Sequence, residues 1–278
     1  MLQNSHKSPP WIISLSVHTE NLPCKAHLLS ISPGQITTTF TALFDITRPT
    51  MPRAFNVLEG ITQGHILTDD LNHPTWAAVR ENAFGTLYLG GQINETLLES
   101  LITLFRQAGE VGLGCWLDSE LNQMLPSAPD YDGRTLYFTE HAPHHRDLLT
   151  IPLPAGYSIA PRDTDHLKQT PDFESTLRSL GTIENIMQYT LGFVILHDGR
   201  VVCEASTGAP THGRIEIGVN TVESHRRRGL AAIACAHLID ACETNGYSTW
   251  WDCAKQNVPS TNLARKLGYQ NEREYRFL

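Results

Sequence analysis

A six-residue turn constrains this chain more than any other segment. Residues 226 to 231 read Arg-Arg-Arg-Gly-Leu-Ala and join a strand-like run, Arg214-Ile-Glu-Ile-Gly-Val-Asn-Thr221, to a helix-like run, Leu230-Ala-Ala-Ile-Ala-Cys-Ala-His-Leu238. A strand that passes through a glycine into a helix belongs to a mixed α/β architecture. The first N–H groups of such a helix have no intrahelical acceptor and sit at the positive end of its dipole, so they bind anions without side chains. Gly229 lets phosphate oxygens approach the backbone, Ala231 keeps that approach clear, and Arg226, Arg227 and Arg228 raise the local potential. Together these residues predict a site for a diphosphate.

The residues that follow sharpen this expectation. Ser248-Thr-Trp-Trp-Asp-Cys-Ala254 is an apolar run rich in β-formers. After it come Asn257-x-x-Ser260 and Leu263-Ala-Arg-Lys-Leu-Gly-Tyr269. The spacing Arg226-x-x-Gly229-x-Ala231 resembles the coenzyme-A pyrophosphate loop of the GNAT superfamily of N-acetyltransferases. The strand, asparagine, short helix and Lys-Leu-Gly-aromatic close resemble the second half of the same fold. Ile215 to Gly218, Gly229 to Ala231 and Trp251 to Cys253 match a bacterial branch of that superfamily. The resemblance is specific over residues 151–278 and much weaker before them.

The resemblance implies acyl transfer from acetyl-coenzyme A to an amine, by direct attack on the thioester. Two central strands would splay apart beyond the strand that leads into the loop, and the acylated pantetheine would lie in the gap like an added strand. Backbone groups of Val219, Asn220 and Thr221 would hold it and polarise the thioester carbonyl. Arg226 to Ala231, Leu230 included, would hold the pyrophosphate. Asn257 would contact the pantetheine arm or fix the end of its strand, with Ser260 one turn into the next helix.

Glu216 is the candidate general base, acting directly or through water. A carboxylate between Ile215 and Ile217 on that strand is unusual, and partial burial raises a carboxyl pKa toward a useful value. Glu204 on the preceding strand is the next choice. The superfamily often places a tyrosine five residues before the closing Gly-aromatic pair to protonate the thiolate, and here that position is Ala264. Ser260 or Tyr275 would substitute, or the thiolate takes its proton from the amine. The missing tyrosine also admits a second reading, a coenzyme-binding sensor without chemistry, and a third treats the arginines as a surface patch. Trp251 and Cys253 should face one side of their strand and Trp250 and Asp252 the other.

Length and charge bound the rest. A chain of 278 residues is comfortable for two domains. A net charge of −8 argues against nucleic acid or a membrane surface as partner and leaves a small-molecule amine as the favoured acceptor. A homodimer is compatible with the sequence. No apolar run approaches a membrane span, and the start lacks a secretion-signal core, so a soluble cytoplasmic protein is expected. The six cysteines include no Cys-x-x-Cys pair and should be buried reduced thiols. Glu140-His-Ala-Pro-His-His-Arg146 is the one histidine cluster; metal ligation there needs a third ligand from elsewhere, so solvated histidines and no metal are expected.

The first half reads as helices over residues 37–47 and 52–61 and strands over 64–68, 75–79 and 84–89. A helix capped by Asn94 follows, then a strand over 111–117, a short helix over 119–125 and a strand over 134–139. This order matches the second half, whose hairpin turns on Asp198-Gly199. Yet the matching helix start reads Leu89-Gly-Gly-Gln-Ile-Asn94, without arginine or Gly-x-Ala. The expected architecture is therefore α/β with a mixed sheet: a degenerate GNAT-like domain over 1–146, then a GNAT acyltransferase domain over 147–278. Residues 143–154, with three prolines, read as a connector.

Overall fold

A computed structural model describes residues 29–107, 109–125 and 133–278; Cys24 and the polar lead-in lie outside them. The first half comprises β1 (Leu29–Ser30), α1 (Thr38–Thr41), α2 (Met51–Leu58), β2 (Gly64–Thr68), β3 (Trp76–Glu81), β4 (Thr86–Gly91), α3 (Glu95–Arg106), β5 (Gly112–Trp116), α4 (Glu120–Met124) and β6 (Arg134–His141). The second comprises β7 (Tyr157–Pro161), α5 (Thr164–Leu167), α6 (Phe173–Leu180), α7 (Ile183–Tyr189), β8 (Gly192–His197), β9 (Arg200–Thr207), β10 (Arg214–Thr221), α8 (Leu230–Thr244), β11 (Ser248–Ala254), α9 (Val258–Leu267) and β12 (Tyr269–Phe277).

All twelve strands form one sheet, ordered β1-β2-β3-β4-β5-β12-β6-β11-β10-β9-β8-β7. Its centre is an exchange. The last strand of the first half, β6, pairs with β11 of the second, while β12 at the C-terminus pairs with β5 of the first. β6 and β12 pair with each other antiparallel, from Tyr269↔His141 to Arg276↔Arg134. Each half thus completes its sheet with the other's final strand, and the halves are joined by backbone hydrogen bonds rather than by side chains alone.

The element order read from the sequence holds, with shorter helices. The 37–47 helix is a single turn at residues 38–41, and the region before β8 breaks into three short helices, two of them opened by a side chain, Asp163 or Thr182, that accepts first-turn N–H groups. Residues 143–148 form a 3₁₀ turn with His145 and Leu148 buried, so this stretch is no free connector. It packs on α8 because Leu148 joins the apolar cluster around that helix.

That helix is apolar over most of its surface, with Leu230, Ile233, Cys235, Leu238, Ile239 and Cys242 buried against β8 to β11 and its polar residues confined to its C-terminal half. Each such aliphatic side chain contributes about 1.5–3 kcal/mol on burial, which holds the start of α8 in fixed relation to β10. Cys115, Cys203, Cys235, Cys242 and Cys253 are free and buried, as expected. Among the described residues, no helix is long and apolar enough to cross a membrane.

Candidate active site

β10 and β11 run parallel and pair only at Arg214↔Ser248, Ile215↔Thr249 and Glu216↔Trp250. Beyond that point β10 follows β9 and β11 follows β6, which leaves a wedge between them. Gly208 N–H donates to the Glu216 carbonyl at 3.2 Å and Val222 N–H to the Val202 carbonyl at 2.9 Å. In an antiparallel ladder these bonds fall on alternate residues, so the even-numbered members of β10 turn their peptide groups to β9 and the odd-numbered ones turn theirs into the wedge. Val219 and Thr221 therefore face the wedge, whereas the peptide groups of Asn220 face β9. The Thr221 carbonyl accepts Arg226 Nε at 3.0 Å, which folds that arginine back over the strand end.

The turn then opens α8. Gly229 is its N-cap with φ 79°, in the left-handed region, and no side chain caps the helix. The first bond onto the cap is Ile233 N–H to the Gly229 carbonyl at 3.2 Å, and the N–H groups of residues 229–232 have no acceptor among the described residues. Nothing lies within 4 Å of where a Gly229 side chain would begin. Arg227 and Arg228 are exposed and have no partner among the described residues, Leu230 turns its side chain into the core, and Ala231 is half-buried. These amides are thus free, accessible at the cap, and backed by positive charge.

Across the wedge, Asn257 caps α9 and its Oδ1 accepts Ser260 N–H at 3.3 Å. Ser260 Oγ accepts Trp251 Nε1–H at 3.2 Å, so its own proton remains available to donate. Ala264 is fully buried in α9 and offers no acid.

The opposite face of the sheet carries the titratable groups. Strand alternation sends Trp251 and Cys253 into the α8 core, and Trp250 into a separate cluster with Tyr137 and Tyr275. On that second face Glu216 meets Arg53 from α2 of the first half. Arg53 Nε donates to Glu216 Oε2 at 2.7 Å, Arg53 Nη2 bonds Glu216 Oε1, and Arg53 also lies 3.7 Å from Asp252 Oδ1. Its guanidinium sits over the Trp250 and Phe84 rings. Tyr275 donates its hydroxyl to Asp252 Oδ2 at 2.7 Å.

Burial pushes the Glu216 carboxyl pKa above its usual range, against the pull of Arg53. Burial disfavours the Arg53 charge, but Glu216 and Asp252 hold it and place its pKa well above the ordinary value. Burial likewise raises Glu81, whose carboxylate accepts the Tyr88 hydroxyl at 3.3 Å. Asn56 of α2 donates to the Ala209 carbonyl at 2.9 Å while its buried Oδ1 has no partner among the described residues. Arg53, Asn56, Glu81, Phe84, Glu216 and Trp250 line a cavity of about 70 Å³ between the halves.

Glu204 is differently placed. It is buried against Arg162 at 2.7 Å, and Arg162 in turn donates to Thr190 at 2.6 Å, so it serves as an internal ion pair away from this cavity's lining.

Arg53 and Asn56 were invisible as site residues in the sequence. The available signal was an arginine in an otherwise buried helix, Met51 to Leu58, and nothing in the chain tells that its partner is Glu216.

Comparison with known proteins identifies the family and the fold. The family model described as GNAT acetyltransferase matches residues 43–278. An uncharacterized N-acetyltransferase, YdfB of Bacillus subtilis, is 29% identical over 161 residues, which are 57% of this chain and 58% of the relative. The matched part thus spans little more than half of that relative's length. A GCN5-related N-acetyltransferase-like protein from Streptococcus suis superposes with TM-score 0.64 at 28% identity, covering 86% of this chain and 96% of that one. A tandem GNAT protein from the clavulanic acid biosynthesis pathway shares the fold with TM-score 0.56 at 12% identity, over 90% and 96% of the two chains.

Proposed function

The chain belongs to the GNAT acetyltransferase family, and on that premise we propose that it is an N-acyltransferase moving an acetyl group from acetyl-coenzyme A to the amine of a small molecule. We propose further that residues 147–278 form the coenzyme-binding domain and that residues 1–146 supply the wall of the acceptor site. The observation that carries this reading is the start of α8, where four amides and two arginines without a partner among the described residues, with an open glycine between them, fit a diphosphate.

On this reading Val219 holds the acyl-pantetheine arm through its outward peptide groups, and Arg226 to Ala231 hold the phosphates. The acceptor enters the cavity on the other face as an ammonium. Glu216 and Glu81 line that cavity and Asp252 lies beside it, all three close to the Arg53 guanidinium, and the Asn56 Oδ1, without a partner among the described residues, adds an acceptor, so a further cation is favoured. Glu216 takes the ammonium proton, the amine nitrogen forms the new C–N bond, and the C–S bond breaks. As the amide forms, the nitrogen sheds its second proton, and that proton reaches the departing thiolate through the Ser260 hydroxyl, which gives up one proton as it takes the other. The small, aromatic-walled cavity suits a primary amine on a slender chain rather than a folded protein surface.

A second reading, a coenzyme-binding sensor, draws on the methyl side chain at Ala264 and on the Glu216–Arg53 pair. One substitution separates the two. Glu216→Gln should lower kcat by roughly 10²–10⁴-fold while leaving coenzyme-A affinity unchanged, as read by thiol release across an amine library and by calorimetry. A wild-type protein that binds coenzyme A yet releases no thiol with any amine would establish the sensor instead.

A further inference from the structure

At the other end of α8, about 20 Å from Gly229 at 1.5 Å per residue, three side chains converge from separate elements. His141 ends β6, His145 sits in the 3₁₀ turn over Pro143–Leu148, and Glu243 lies in the last turn of α8. Their ligand atoms all fall within 4.8 Å of one another. His141 Nδ1 is 3.5 Å from Glu243 Oε1 and His145 Nε2 is 3.7 Å from Glu243 Oε2.

Hydrogen bonding alone leaves this cluster unsatisfied. His141 Nε2 lies 3.1 Å from the Leu267 carbonyl, which can only accept, so that nitrogen carries the proton and Nδ1 presents a lone pair to a carboxylate. His145 is 0% exposed, and neither of its ring nitrogens has a hydrogen-bond partner among the described residues. A buried imidazole left in this state costs free energy that a native fold normally recovers through a partner.

We propose that His141, His145 and Glu243 bind a single divalent ion of the zinc class. Zinc takes histidine nitrogen at about 2.0–2.1 Å and carboxylate oxygen at about 2.0–2.2 Å, which sets tetrahedral ligand atoms roughly 3.3–3.5 Å apart. The separations of 3.5 and 3.7 Å run to the two oxygens of Glu243 and the whole cluster lies within 4.8 Å, so a small side-chain approach closes the ligand set. The Leu267 carbonyl on the far nitrogen of His141 is the outer-shell contact that fixes a ligating tautomer. A cation here also meets the negative end of the α8 dipole. The competing cation is Arg146, which donates to Glu243 Oε2 at 3.0 Å but is 63% exposed and free to swing out. The ion would pin the segment between the two halves onto α8. Its role is structural, and it is independent of the acyl-transfer reading.

The test is calorimetric titration of the full, chelator-treated chain with ZnCl₂, alongside melting curves and the visible spectrum with CoCl₂. One ion per chain, a raised melting temperature and tetrahedral cobalt bands are expected. Glu243→Ala should weaken binding by on the order of 100-fold or more, whereas Arg146→Ala should bind at least as tightly as wild type. Sub-stoichiometric uptake, a cobalt spectrum like that of the free aqueous ion, or wild-type affinity in Glu243→Ala would each overturn the proposal. The wild-type stoichiometry and spectrum decide the matter if a variant does not fold.

Discussion

The two halves of the sheet open the same wedge and furnish it differently. In the first half β4 and β5 pair only at Thr86↔Gly112 and Leu87↔Leu113, then part, as β10 and β11 do after Glu216↔Trp250. The first wedge holds a cavity of about 950 Å³ lined by residues including Leu89, Asn94, Leu97, Cys115 and Trp116. The helices that start at the two wedges open differently. Asn94 caps α3 by accepting Leu97 N–H at 2.9 Å, and Glu95 puts a negative charge in its first turn. At α8 the cap is a bare glycine preceded by three arginines. One helix end has capped a first-turn amide with its own side chain and carries a negative charge that repels anions, while the other has no side-chain cap and no acid in its first turn. The splay is therefore a property of the fold, and the proposed anion site is a property of the short sequence at the helix start.

The largest expected effect that tests this contrast is at Gly229. Gly229→Glu places a carboxylate at the dipole's positive end and forces a side chain onto a left-handed backbone, so coenzyme-A affinity should fall by on the order of 100-fold or more, measured by calorimetry. Unchanged affinity would mean that α8 is no more an anion site than α3.

A smaller effect concerns the pair that the first half contributes to the second. A general base works only when ionised, so the low-pH limb of kcat/KM should lie above the ordinary carboxylate range, because burial raises the Glu216 pKa. Arg53 opposes that rise, and Arg53→Gln should displace the limb to still higher pH. A limb that stays put or moves down would show that Glu216 is not the titrating group. The least effect belongs to α3. Asn94→Ala should cost about 1 kcal/mol of stability in denaturant unfolding, through loss of the cap, and leave coenzyme-A affinity as it was. A drop in that affinity would give the first wedge a role in binding.

The second half was legible because its signals are local. Arg226 to Ala231 sit between a strand and a helix as read, the Asp198-Gly199 hairpin turns where expected, and Trp250 and Trp251 part to opposite faces by simple alternation. The histidines were misread as solvated because His145 is buried by α8, and its neighbour Glu243 is far off in the chain. Likewise, the strand over 134–141 looks like the end of one domain, although its hydrogen bonds go to β11 and β12.

What the sequence determined by itself is the chemistry of a turn: a glycine able to take φ 79°, arginines beside it, and an apolar helix to fix both in place. Those features act over a few residues, through backbone sterics and the helix dipole, and need no knowledge of the rest of the chain. Tertiary structure alone decided the exchange of β6 and β12, the meeting of Arg53 with Glu216, and the gathering of His141, His145 and Glu243. Each of these joins groups far apart in the chain, and such pairing is set by which apolar faces pack together, a choice that no local pattern encodes.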